Sequence, residues 1–310
     1  MKINSLTEIM ADSIVPLKII KNMKKTLFTI AIICTLLTDN QLFAQKKKGL
    51  FRAEFGVQGY TFRRQFPKGI EATLDTIKML GFTELEGGGG KGYTPEQYKK
   101  LCDDRGIKIP SVGSDYNGLK TDPLQYVKNA KIFGAEFVMC AWIPHKGNEF
   151  TLENAKEAVE VFNKAGKVLK ENGLTFCYHD HGYEFHKLEG TNETLMDYII
   201  QNTNPEYVSF EMDVLWTLHG GGSDAPEKLL KKYKNRWKLM HVKDLRKGVI
   251  GDKSGHEPPQ NDVVLGTGQA NWKKILKLAN KYGIKHFFIE DESEHEMTNI
   301  PKSLNYLRSL

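Results

Sequence analysis

The chain has 310 residues, 40% of them hydrophobic and 26% charged, with a formal net charge of +6. With 10% aromatics and only 11 prolines, low-complexity disorder is excluded, and no long fixed period marks a solenoid. Nothing in the modest positive charge calls for a nucleic-acid partner.

The N-terminus reads as a targeting segment. Lys24 and Lys25 precede the apolar run 27–37, and Leu42-Phe43-Ala44-Gln45 supplies a small-residue cleavage pattern. Residues 1–44 are therefore expected to be a signal peptide, with 1–22 a candidate misassigned start because Met23 stands directly before the basic residues. Ile33 before Cys34 makes a poor lipoprotein site. The run is shorter than the roughly 20 apolar residues a membrane span needs, so no stable insertion is expected after cleavage; an uncleaved anchor is the alternative. A secreted or periplasmic protein follows. Cleavage after Ala44 leaves 266 residues, 45–310, which suits one (β/α)8 barrel of about 250. Lys46, Lys47 and Lys48 then form a solvated tail. Cys102, Cys140 and Cys177 remain, odd in number and without CxxC spacing, and read as small buried hydrophobes.

Short β-branched and aromatic runs alternate with helical patterns through the rest, which predicts a parallel sheet with crossover helices. In chain order, strands are expected at 54–60, 82–86, 108–112, 136–142, 174–179, 207–213, 237–242 and 286–290. Helices are expected over 68–80, from 94 to before Gly106, and over 123–133, 151–172, 193–202, 226–233, 272–282 and 300–310. Thr94 with Pro95 is an N-cap followed by a first-position proline, and Gly81, Gly134, Gly173 and Gly283 follow helix ends. Eight such units favour a closed TIM barrel in a single domain over an open doubly wound sheet, which would want a GxGxxG fingerprint. Gly87 to Gly90 form a loop that lacks the Lys-Ser/Thr of a phosphate-binding loop.

In such a barrel the site forms where strands end. The strand exits carry Glu84 and Glu86; Trp142 and His145; His179, Asp180, His181 and Glu184; Glu211, Asp213, Trp216 and His219; His241, Lys243 and Asp244; and Glu290, Asp291 and Glu292. Polar residues are nearly absent from the front halves of the same strands. Side chains alternate faces along a strand, so His179 shares a side with His181, and Glu211 with Asp213. Histidines and carboxylates converging on one mouth are metal-ligand types. Two His with two carboxylates suit one divalent ion of Mn, Zn, Fe or Co better than Mg or Ca. A hydrogen-bonded polar cluster without a metal is the alternative.

At these exits the chain resembles the xylose isomerase-like superfamily of sugar isomerases and epimerases, which also holds inosose dehydratases, dehydroshikimate dehydratases and endonuclease IV. The matching pieces are Tyr178-His-Asp-His-Gly-Tyr-Glu-Phe185, Phe210-Glu-Met-Asp-Val-Leu-Trp216, His241-Val-Lys-Asp244, Leu265-Gly-Thr-Gly268 with Trp272, and Phe288-Ile-Glu-Asp291. The resemblance implies a metal held by one residue from each of strands five to eight, usually Glu, Asp, His and Glu. Asp213, His241 and Glu290 match the last three, and His179 stands where the strand-five Glu normally does. That departure leaves Glu290 as the one carboxylate of the usual epimerase pair.

The implied chemistry is proton abstraction beside a carbonyl of a free sugar or keto-sugar, with the metal as Lewis acid. Glu290 or His179 is the candidate base, and Lys243 either neutralises developing charge or pairs with a carboxylate. Trp142 and Trp216 offer flat faces to a sugar ring or pack in the core, and His145, His181 and Glu184 are candidate substrate-binding groups. Return of the proton gives isomerisation or epimerisation. Loss of a β-group gives a lyase or hydratase of 3-keto-glycosides as the second reading. A non-catalytic periplasmic sugar-binding protein is a third, distinguished by sugar affinity that survives a chelator. A phosphodiesterase would want further histidines on strands two and three, where Glu84, Glu86, Ser111 and Ser114 stand instead.

Overall fold

The computed structural model describes residues 55–310; the expected signal peptide lies outside them. Eight parallel strands form the barrel: β1 Gly56–Gln58, β2 Glu84–Glu86, β3 Ser111–Ser114, β4 Phe137–Cys140, β5 Thr175–His179, β6 Val208–Asp213, β7 Trp237–Val242 and β10 His286–Ile289. Hydrogen-bonded neighbours run β2-β1-β10-β7-β6-β5-β4-β3. The remaining seam, between β2 and β3, is tied by backbone bonds. Lys108 donates to Thr83 (2.8 Å) and accepts from Leu85 (2.9 Å), and Gly87 donates to Ser111 (3.0 Å). A short antiparallel ribbon, β8 Asp244–Leu245 with β9 Asp262–Val263, sits in the loop after β7.

The helices form where the sequence places amphipathic stripes between caps. The longest, Leu152–Glu171, opens with a capping box between Thr151 and Asn154. It buries Ala155, Ala158, Phe162, Ala165 and Leu169 against the barrel, at helical spacing. Gly166 on the same face permits close approach: a Cβ there would stand 2.6 Å from the Tyr207 carbonyl oxygen. Gly134 ends the helix Leu124–Phe133 with φ +70°, the left-handed conformation a residue after a helix end adopts.

Three expectations shift. The third strand begins at Ser111 rather than at 108, since Pro110 has no N–H for the ladder. The last helix begins at Glu296, four residues early, and takes Pro301 into its body. Two short helices unforeseen in the sequence, Tyr116–Thr121 and Val214–Gly221, follow β3 and β6 directly. Cys102, Cys140 and Cys177 are buried free thiols, as expected. No helix among the described residues is long and apolar enough to cross a membrane.

Candidate metal centre

The ends of β5, β6, β7 and β10 lie side by side, and register aligns their chemistry. His179 pairs with Glu211, and Asp213 with His241. His179, Glu211, Asp213, His241, Lys243 and Glu290 are all buried, and His179, His241 and Glu290 line a cavity of about 650 Å³. One atom each from His179, Asp213 and His241 falls within 4.8 Å of the others. Asp213 Oδ2 is the common point, 3.9 Å from His179 Nε2 and 3.7 Å from His241 Nδ1. Its other oxygen, Oδ1, accepts from the Trp216 N–H at 3.0 Å and caps the helix Val214–Gly221. Glu290 Oε2 stands 3.3 Å from His241 Nδ1 and 3.1 Å from Lys243 Nζ. Lys243 also contacts Glu292 and lies over the Trp216 ring.

Two residues given no role from sequence complete the cluster. Glu86, at the end of β2, brings Oε2 to 2.5 Å from His241 Nε2. Glu211 spans both rings, 3.2 Å from His179 Nδ1 and 3.4 Å from His241 Nε2. Glu86, Glu211 and His241 form a second close group.

The electrostatics follow from four buried carboxylates around a few cations. Burial opposes charge on His241, yet Glu211, Glu86 and Glu290 outweigh it and hold the imidazole well above the ordinary histidine range. Burial likewise opposes charge on Glu290, but Lys243 and His241 keep its carboxyl well below the usual carboxylate range. Burial, with His241 beside it, pulls His179 down to about 4. Burial and the adjacent Glu86 push Glu211 well up.

Glu86 Oε1, Glu211 Oε1, Asp213 Oδ2 and His241 Nδ1 are buried without hydrogen-bond partners. Buried acceptors left unmatched beside excess negative charge are what a cation satisfies. The mixed nitrogen and oxygen donors fit a divalent cation.

Of the expected substrate-binding residues, His181 lines the cavity, Glu184, Trp142 and Trp216 each contact His181, and His145 stacks on Trp142. Glu184 is fully buried, accepting from the Tyr178 hydroxyl and from the His181 backbone N–H at 3.0 Å. Trp216 is buried, with its face stacked on His181 at 4.5 Å. His145 is tied by Nδ1 to the Ile143 carbonyl at 2.7 Å and stacked on Trp142, which is itself exposed at the rim. The opposite wall comes from the first half of the chain: Gln58, Tyr60, Phe66, Gly87, Gly88, Gly89 and Gly113. Their only signal in the sequence is position after β1, after β2 and in β3.

Fold and site together define a (β/α)8 barrel with a histidine–carboxylate cluster on the face where such barrels carry out catalysis. The chain belongs to the xylose isomerase-like TIM barrel family, whose profile matches residues 74–310. An inosose dehydratase of Bacillus cereus (strain AH820) is 30% identical over 158 residues, 48% of this chain and 51% of that protein, so the chain spans about half the length of that relative. An inosose dehydratase of Clostridium perfringens (strain 13 / Type A) is 37% identical over 201 residues, covering 58% of this chain and 65% of its own. The crystal structure of a sugar phosphate isomerase/epimerase from Parabacteroides distasonis ATCC 8503 superposes with a TM-score of 0.65 at 26% identity, covering 83% of this chain and 93% of that one.

Proposed function

We propose that this protein is a lyase-type enzyme that removes a proton beside a carbonyl of a polyhydroxylated keto ring and expels a β-hydroxyl as water. The observation that carries it is the convergence of His179 Nε2 and His241 Nδ1 on Asp213 Oδ2, with Glu290 beside them, where His179, His241 and Glu290 line the cavity. A divalent ion held by His179, Asp213 and His241 would supply Lewis acidity at the substrate oxygen. Glu290, kept ionised by the Lys243 ammonium 3.1 Å away, is placed to take the proton. The buried Lys243 ammonium offsets negative charge growing on the substrate oxygen. The α C–H and β C–O bonds break and a C=C bond forms; Glu290 returns the proton it took to the departing hydroxyl, which leaves as water, so the step needs no oxidant or reductant.

The dehydratase names of the two relatives favour elimination over the isomerisation or epimerisation expected from sequence. The Parabacteroides neighbour supports isomerisation as the second reading, in which the same proton returns to carbon. A leader over 1–44 would place the reaction outside the cytoplasm.

Elemental analysis of purified protein, with Asp213→Ala and His241→Ala as controls, tests the metal. Incubating the metal-loaded protein with an inosose and with simple keto-sugars in D2O then separates the outcomes: dehydrated product supports the lyase, and deuterated isomer the second reading. A wild-type protein that takes up no metal, or that loads metal and yields neither dehydrated product nor deuterated isomer, would refute the proposal.

A further inference from the structure

Glu86 and Glu211 are fully buried, and neither has a duty in the chemistry above. We propose that they are positioning residues that fix the tautomer and ring orientation of the two histidines, so that His241 Nδ1 and His179 Nε2 are the nitrogens offered to the cation. The inference rests on the metal reading.

His241, charged in the metal-free site, must give up one proton to bind a cation; the ring then has one N–H and one lone pair, and the proton stays on the nitrogen with the shortest contact to an acceptor. His241 turns Nε2 toward two carboxylates, Glu86 Oε2 at 2.5 Å and Glu211 Oε1 at 3.4 Å. His179 turns Nδ1 toward the other oxygen of the same Glu211, at 3.2 Å. The opposite nitrogens then face Asp213 Oδ2, at 3.7 and 3.9 Å. A single carboxylate, Glu211, thus spans both rings and sets them in opposite senses. Glu86 is itself steadied by the Gln58 amide, which donates to Oε2 at 3.0 Å. It arrives from β2, whereas the residues facing Asp213 arrive from the strands opposite. Carboxylates behind ligating histidines orient the ring and raise its basicity.

The test uses zinc as the probe on the full chain. In zinc-loaded wild type with 15N-labelled histidine, long-range proton–nitrogen correlation should show Nε2–H on His241 and Nδ1–H on His179. Glu86→Gln keeps the size and one accepting oxygen; competition with a chelator should show its zinc affinity about 10-fold weaker, and that of Glu86→Ala about 100-fold weaker. Metal-free Glu86→Gln should keep the wild-type far-UV spectrum and a cooperative unfolding transition, which separates ring positioning from general loss of structure. If Glu86→Ala fails to fold, Glu86→Gln and the wild-type spectrum still decide. Zinc bound through His241 Nε2, or wild-type zinc affinity in Glu86→Gln, would overturn the positioning role and leave the metal reading standing. A wild type that binds no zinc would overturn both.

Discussion

Lys243 Nζ lies 3.1 Å from Glu290 Oε2 on the adjoining strand, and both side chains are buried. Glu292 contacts the same ammonium, and Asp213 Oδ2 is 3.8 Å away. Lys243→Met keeps the length of the side chain and removes its charge, leaving these carboxylates without their cation. The expected outcome is a fall of roughly 10²–10³ in kcat and about 3 kcal/mol of stability in urea, with metal still bound. A variant as active as wild type would remove Lys243 from the chemistry.

Asp213 performs two tasks with two oxygens, Oδ1 as a helix cap and Oδ2 toward the histidines. Asp213→Asn can keep the cap and loses the charged ligand. For wild type, metal at about 100 times its Kd should add about 2.7 kcal/mol, seen as a rise in Tm. That rise should vanish in Asp213→Asn while the metal-free Tm stays near wild type. Asp213→Ala should lose the rise and about 1 kcal/mol more for the missing cap.

Gly113 lines the cavity from β3, and a Cβ built on it meets nothing within 4 Å. Its backbone is not in the left-handed region, so a side chain fits without strain. Gly113→Leu would project into the space reserved for substrate. KM should rise about 10-fold or more, equivalent to about 1.4 kcal/mol of binding, with Tm and metal content unchanged. Unaltered KM would place the substrate elsewhere in the mouth.

Asp197, far from the cavity, sets an acid limit on stability. Burial raises its pKa, but the Lys232 ammonium, the Tyr233 hydroxyl and the Thr194 N–H outweigh that and leave it below the usual aspartate value. A depressed carboxyl contributes stability above its unfolded pKa, and that contribution is lost as pH falls through the folded value. Asp197→Asn should therefore be less stable than wild type near pH 7, by about 1–3 kcal/mol. The gap should narrow below about pH 4. Chemical unfolding across pH measures it; a gap that widens in acid would contradict the assignment.

The barrel rhythm was legible because several helices carry local signals, such as the Thr94 and Thr151 caps and Gly134. The convergence of His179, Asp213, His241 and Glu290 was legible from strand exits and from resemblance to a family. Glu86 was not, since nothing local says that a carboxylate ending β2 reaches a histidine 155 residues away across the interior. The inward turn of Glu184 was hidden for a related reason. Gly182, at φ +89°, swings the chain into the turn Tyr183–Phe185 and carries Glu184 inward under Tyr178. The motif pieces ending at Asp244 and Gly268 are one physical unit. Asp244 accepts from the N–H groups of Gly266, Gly268 and Ala270 and from the Trp272 indole, binding the loop after β7 to the next helix.

The seam between β2 and β3 has a consequence for motion. It joins through one bridge, at Glu84 and Lys108, and one further bond from Gly87 to Ser111, whereas the strands bearing the ligand-type residues are laced along four paired positions each. Breathing of the barrel should therefore begin on the glycine-lined side and spare the histidine cage. The amide protons of Leu85 and Gly87 would trade with solvent sooner than those of Met212 and Val242. Substrate would enter beside the pliant arc, and the cation would sit in the rigid one.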